Sequence, residues 1–185
     1  MNTLNTEIEG VFLIELEIYE DQRGCFLETY QYERYYQKNI KDEFVQDNYS
    51  RSFKNVLRGL HFQTQKPQSQ LLTILSGSIF DVLVDLRRNS KTFKKWISFN
   101  LKEDSSIRQI YMPPGIAHGF CVLSEISNLH YKVSQKYDSK NEAGIIWNDS
   151  TLNINWPIND PILSKKDSLF PSLADLTGNN LPNHL

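Results

Sequence analysis

The chain has 185 residues and a formal net charge of −2. That length accommodates one domain with a substantial core. The near-neutral charge argues against a non-specific nucleic-acid binder, and a hydrophobic fraction of 39% with 12% aromatics argues against disorder.

The first residues, Met1 to Glu7, carry no basic start followed by an apolar run, so no signal peptide is expected. No apolar run approaches the roughly 20 residues of a membrane span. A cytoplasmic protein without membrane contact is the expectation. Val11 to Tyr19 reads as a strand with partial alternation, closed by the turn Glu20-Asp21-Gln22-Arg23-Gly24. Cys25 to Tyr30 returns as a second strand. Cys25 and Cys121 both sit in strand-like apolar runs and are expected to be buried free thiols. Tyr30 to Lys41 is a short helix or a covering loop. Phe44 to Ser50 is the next strand, and period two puts Gln46, Asn48 and Ser50 on one face. Such a face suits solvent or a sugar.

The central stretch runs Asn55-Val56-Leu57-Arg58-Gly59-Leu60-His61-Phe62-Gln63. Alternation places His61 and Gln63 on one face with Gly59, and Leu60 and Phe62 on the other. A face with His, Gln and a backbone-thin Gly suits the wall of a polar pocket. After a polar loop containing Pro67, Leu71 to Leu75, Ser76-Gly77-Ser78 and Ile79 to Arg87 form the strongest hairpin pattern in the chain. Asp81 and Asp85 share a face of that apolar strand and are read as structural. Strands follow at Lys94–Leu101, Ile107–Met112, Ile116–Leu123 and Leu129–Tyr137, with Pro113-Pro114-Gly115 as a turn. His130 reads as a surface histidine. From Asp138 the pattern breaks. Ser164 is a candidate N-cap for a short helix, and the tail from about 173, with Gly178-Asn179-Asn180 and His184, reads as loose.

Many short strands with Gly and Pro turns and little helix indicate an all-β sandwich or barrel, organised as one domain over 1–185. No GxGxxG, P-loop, CxxC or HExxH pattern is present. His61 and His118 are the two histidines in Gly-flanked strand contexts. A histidine base, oriented by a carboxylate, and a tyrosine acid on opposite sides of a carbon would move a proton from one face to the other. Two other readings compete. Both histidines are satisfied structural residues, or they ligate a metal as in metal-dependent cupins. The metal reading is weak because such sites present His-x-His, and the second position here is Gln63.

Several motifs together sharpen this. Arg58-Gly59-Leu60-His61-Phe62-Gln63 resembles the signature of the dTDP-4-dehydrorhamnose 3,5-epimerase family, a cupin-type jelly roll of deoxysugar pathways. So do Asp21-x-Arg23-Gly24-x-Phe26-x-Glu28, Gln46-x-Asn48-x-Ser50 and Phe80-Asp81-Val82-x-Val84-Asp85-Leu86-Arg87. Pro113-x-Gly115-x-Ala117-His118-Gly119-Phe120, Tyr131-Lys132, Trp147-Asn148-Asp149, Trp156-Pro157 and Leu163-Ser164-x-Lys166-Asp167 complete the set. These stand in family order over about residues 9 to 170.

The resemblance implies a jelly-roll barrel with short peripheral helices. It implies an isomerase that inverts C3, C5 or both in a dTDP-linked 4-keto-6-deoxyhexose, through an enolate, in rhamnose-type biosynthesis. His61 with Asp167 would be the base and Tyr131 the acid, with neither cofactor nor metal. Gln46, Asn48, Arg58 and His118 would line the sugar and diphosphate pocket, Tyr137 would stack, and Lys166 would lie near the diphosphate. Arg23, Phe26 and Glu28 would reach the nucleotide of a neighbouring subunit, in a homodimer built by exchange of N-terminal strands. One position departs from the pattern: the family lysine of the substrate site is replaced by Gln70. Losing a preorganised charge at a developing oxyanion costs about 10²–10³ in rate. Lys66 is the candidate substitute. The departure leaves a single-site epimerase, another nucleotide sugar, or a non-catalytic sugar-nucleotide binder as alternatives.

Overall fold

A computed structural model of the chain describes residues 1–176 and 180–182. Thirteen strands occur among them. β1 (Asn2–Asn5), β2 (Phe12–Glu15), β5 (Gln46–Phe53), β7 (Gln70–Ser76), β10 (Ile107–Met112) and β12 (Ile126–Val133) form a six-stranded sheet in the order β1-β2-β10-β7-β12-β5. β6 (Leu57–Gln63), β8 (Ser78–Asp85), β9 (Trp96–Lys102), β11 (Ile116–Val122) and β13 (Glu142–Gly144) form a five-stranded sheet in the order β13-β6-β11-β8-β9. β3 (Ile18–Asp21) and β4 (Gly24–Leu27) pair only with each other. The one α-helix among the described residues, α1 (Tyr32–Tyr36), is a single turn. This is the all-β jelly roll with short peripheral helices that the motif set implies.

The two sheets close over an inner core of Leu72, Ile74, Ile79, Leu83, Ile110, Phe120 and Leu129. Their outer faces are covered as well. Tyr35 and Ile40, from the segment around α1, pack on Ile14, Leu71 and Tyr111 of the six-stranded sheet. Leu152, Trp156, Leu173 and Leu181 pack on Leu57, Leu60, Val82, Val84 and Cys121 of the five-stranded sheet. Strands covered on both faces lose their alternation. All seven residues of β11 are buried for this reason, and polar groups that remain there need partners inside the protein.

Four sequence expectations change. The hairpin around Gly77 is a corner: β7 pairs with β10 and β12, while β8 pairs with β11 and β9, so the turn carries the chain from one sheet to the other. A sheet-to-sheet corner and a hairpin need the same tight Gly turn (φ 83° here), so local pattern does not separate them. Cys25 is exposed, because β4 belongs to a two-stranded ribbon with no second layer, whereas Cys121 is buried as expected. Described parts of the segment from 173 are held down. Leu173 and Leu181 are buried, and the Asp149 carboxylate accepts the Leu173 N–H at 2.7 Å as well as the Thr151 and Leu152 N–H groups. Gly178, Asn179 and His184 lie outside the described residues. Lastly, β6 is not a regular strand. His61 is the cross-strand partner of His118, but Phe120 is the partner of Arg58, so β6 carries one extra residue around Gly59. A bulge of this kind flips the register, and Arg58 therefore joins His61 on the inner face.

Candidate active site

A cleft opens between the two sheets at one end of the barrel. Its walls are Arg58, His61, Phe62 and Gln63 from β6, with His118 and Phe120 from β11, on one side. Asn48 and Ser50 from β5, Gln70 from β7, and Tyr131 and Val133 from β12 form the other. Gln68, Tyr137 and Glu142 complete the rim. His61 and Tyr131 thus stand on opposing sheets across one space.

The residues expected to act on a proton are wired accordingly. Asp167 opens a short 3₁₀ turn (Asp167–Leu169) whose N-cap is Lys166 rather than Ser164, and Ser164 Oγ accepts the Asp167 backbone N–H at 3.0 Å. The carboxylate is almost fully buried and meets His61 Nε2 at 2.8 Å. Burial alone would raise its pKa. The hydrogen bond and charge of His61, the Ser164 hydroxyl and the Gly59 backbone N–H outweigh burial and hold the carboxyl below its ordinary value. An ionised Asp167 fixes the His61 tautomer with the proton on Nε2, leaving the Nδ1 lone pair as a base.

Tyr131 OH lies 2.6 Å from Ser50 Oγ. Burial pushes the phenol up to about 12, against the opposing effects of Ser50 and the Arg58 charge. It therefore holds its proton at neutral pH and is available as an acid. Arg58 is steered by Nε donating to Ser52 Oγ at 3.0 Å. His118 is 7% exposed and its Nε2 meets Asp81 Oδ2 at 2.8 Å. Asp81, read from sequence as structural, is fully buried on the inner face of β8 and is the orienting partner of His118.

The remaining expected binders divide into three groups. Asn48, Gln70 and Tyr137 line the cleft. Gln46 sits at its mouth, donating to Asn48 Oδ1 at 2.7 Å and accepting the Tyr137 N–H at 3.1 Å. Lys166 stands at the rim, where its Nζ donates to Glu142 Oε1 at 2.8 Å while Tyr137 OH donates to Glu142 Oε2 at 2.6 Å. Glu142 was not foreseen: it lies in the segment where alternation fails, and nothing local marks it. Burial would raise its pKa, but Lys166 and Tyr137 hold it below the ordinary value. Arg23, Phe26 and Glu28 are not brought to this cleft. Arg23 pairs with Asp21, Phe26 is 70% exposed beside Tyr19, and Glu28 accepts from Arg34 at 2.7 Å. Lys66 does not line the cleft either: it is exposed, and its charge acts on Asp138. Among the described residues no group of three or more His, Cys, Asp or Glu is placed to hold a metal ion.

Comparison with known proteins gives this geometry a context. The family model for dTDP-4-dehydrorhamnose 3,5-epimerase matches residues 5–175. The chain is 44% identical, over 90% of its length and 93% of the relative's, to the dTDP-4-dehydrorhamnose 3,5-epimerase of Shigella flexneri. It is 40% identical, over 91% of its length and 82% of the relative's, to the dTDP-4-dehydrorhamnose 3-epimerase of Streptomyces niveus. Among solved structures, the dTDP-6-deoxy-D-glucose-3,5-epimerase of Legionella pneumophila in complex with dTDP-4-keto-L-rhamnose superposes with a TM-score of 0.94 at 42% identity, covering 100% of this chain and 98% of that one. With an all-β jelly roll and a His–Asp pair facing a tyrosine across the cleft, the chain belongs to the dTDP-4-dehydrorhamnose 3,5-epimerase family of isomerases.

Proposed function

We propose that the chain epimerises a dTDP-linked 4-keto-6-deoxyhexose at C3, C5 or both, as a step of rhamnose-type deoxysugar synthesis. One observation carries this reading: the Asp167-anchored His61 and the half-buried Tyr131 phenol line opposing walls of one cleft. The ketone acidifies the hydrogens on its neighbouring carbons. His61 Nδ1 removes one, and Tyr131 delivers a proton to the other face of the planar carbon, which inverts it.

The lining fits this ligand class. Asn48, Gln63, Gln68 and Gln70 offer uncharged donors and acceptors to sugar oxygens, and Phe62, Phe120 and Val133 offer apolar surface to a deoxygenated carbon. The cleft volume of about 240 Å³ is below the roughly 300–1,000 Å³ of sites that engulf a drug-sized ligand, which suits a sugar held inside and a nucleotide at the mouth. Tyr137, Lys166 and Gln46 stand at that mouth, and Arg58 offers a planar charged fork to the diphosphate.

The β3–β4 ribbon pairs with neither sheet and exposes Tyr19 and Phe26. In the proposed homodimer it crosses to the second copy, bringing Arg23, Phe26 and Glu28 to the partner's nucleotide. Light scattering would report a dimer, and Arg23→Ala would weaken dTDP binding without changing the hydrogen bond of His61 to Asp167.

The test is proton exchange. The protein is mixed with dTDP-4-keto-6-deoxyglucose in D₂O and C3 and C5 are followed by NMR. Deuterium with inversion at one or both carbons supports the reading and names the position. No exchange, with dTDP-sugar binding retained, would make the chain a binder instead.

A further inference from the structure

The cleft holds a second histidine–carboxylate pair, His118 with Asp81. His118 and His61 are direct Cα partners across β11 and β6, so their side chains stand next to each other on the inner face. Both rings spend Nε2 on a carboxylate at 2.8 Å. Neither Nδ1 has a hydrogen-bond partner among the described residues, and both rings line the cleft.

The two carboxylates live in different surroundings. Asp167 receives hydrogen bonds from His61, from Ser164 and from the Gly59 backbone. Asp81 is fully buried on the inner face of β8, beside Ile79 and Leu83, and among the described residues His118 is its one hydrogen-bond donor. Its Oδ1 is buried without a partner. Burial raises its pKa, against the opposing influence of His118. A lone negative charge there is costly, so the stable form of the pair is the one with no net charge. That form has two microstates. In one, Asp81 is protonated and donates to Nε2. In the other, an ionised Asp81 accepts from an imidazolium. Both put a proton on His118 Nδ1. For His61, the ionised Asp167 carboxylate, met by several donors, accepts the Nε2–H and leaves Nδ1 bare. Environments that drive two such pairs apart assign one to basic and the other to acidic work.

We propose that His118, set by Asp81, is the electrophile of the site: its Nδ1–H meets the ketone oxygen and carries the enolate charge that the neutral Gln70 does not. This rests on the epimerase reading. The step balances within the substrate. His61 Nδ1 takes the proton from the carbon beside the ketone. The C–H pair becomes the carbon–carbon double bond, and the carbonyl π pair moves to oxygen, where the His118 N–H receives it. When the Tyr131 phenol protonates the opposite face, the electrons return and the ketone re-forms. Tyr131 then regains a proton from solvent while His61 releases the one it took.

Two measurements test this. The first is independent of turnover. Two-bond ¹H–¹⁵N correlation spectra of the labelled protein at pH 7.5, assigned by the loss of signals in H118N and H61N, report which ring nitrogen bears a proton. Nδ1 protonated on His118 and bare on His61 is expected. A bare Nδ1 on His118 overturns the proposal, whatever the substrate. The second is kinetic. His118→Ala should lower the exchange rate in D₂O by about 10²–10³ with dTDP affinity within about threefold. His118→Asn, which keeps an amide near the Nδ1 position, should recover at least about tenfold of that loss. A rate loss below tenfold for His118→Ala, or no recovery in His118→Asn, overturns it. Wild-type protein that exchanges neither carbon removes the epimerase reading by itself, and the ring-nitrogen result still decides the polarity of the pair.

Discussion

His61 and His118 face the same cleft from neighbouring strands, yet the carboxylates behind them differ: Asp167 is met by several donors, Asp81 by one. On the proposed mechanism, removal and return of the proton belong to different walls, with Tyr131 on the opposing sheet. Tyr131→Phe removes the acid and leaves the base. Hydrogen at the reacting carbon should still exchange with D₂O, because His61 can return what it took, while inversion falls by about 10²–10⁴. NMR resolves both in one sample. Inversion at the wild-type rate would remove Tyr131 from the mechanism. Because burial raises the phenol to about 12, the wild-type inversion rate should also show no loss attributable to Tyr131 between pH 7 and 10.

Asp167 gives a pH signature. Its folded pKa is held below the ordinary carboxylate value, which for Asp is 3.8. The unfolded chain therefore binds the proton more readily, so the pair's contribution to stability is complete above that value and is lost as pH falls through the lower folded one. Asp167→Asn should cost about 1.5–3 kcal/mol at pH 7, the range for a hydrogen bond to a charged group. The gap between wild type and variant, followed by urea unfolding, should narrow as the pH is taken below 3.8. A gap that stays constant into strong acid would mean that the carboxylate charge contributes nothing.

Gln70→Lys asks whether the missing charge limits the enzyme. If His118 already meets the developing charge, an added ammonium should change the turnover number by less than about tenfold, not by the 10²–10³ that a single oxyanion donor is worth. A gain of a hundredfold in steady-state assays would show that the site lacks an electrophile as it stands.

The legible and illegible parts of this protein divide along a physical line. Period two showed β5, β12 and the pocket face of Asn48 and Ser50, because those strands have one face toward the cleft. It could not show the register of β6, since the extra residue there is invisible to a count of alternations. It missed the function of Asp81, since an acid on an apolar strand looks the same whether it meets solvent or a buried histidine. Asp167 was reached only through the motif set: 106 residues separate it from His61, and no local pattern spans that distance. Glu142 and the β7–β8 corner were beyond reach for the same reason, because each is defined by what another part of the chain brings to it.

Gly59 is where that hidden geometry is most exposed to test. Its φ is +123°, a region that side chains avoid, and a Cβ there would lie 2.7 Å from the His118 carbonyl oxygen and closer still to the Gly119 backbone. Backbone atoms of β11 would have to move, and they carry His118. Gly59→Ala should therefore destabilise by about 3 kcal/mol from strain and overpacking together. It should also separate the paired histidines, so activity should fall further than stability predicts when assayed well below the unfolding temperature. Gly10→Ala is the matching control. Its φ is +81°, and the added carbon would meet only side-chain atoms of Pro113 and Arg87, at 3.3 Å or more. That variant should show the strain cost alone, with the catalytic hydrogen bonds intact. Equal losses of activity in the two variants, at matched fraction folded, would mean that the close approach of β6 to β11 does not position the site.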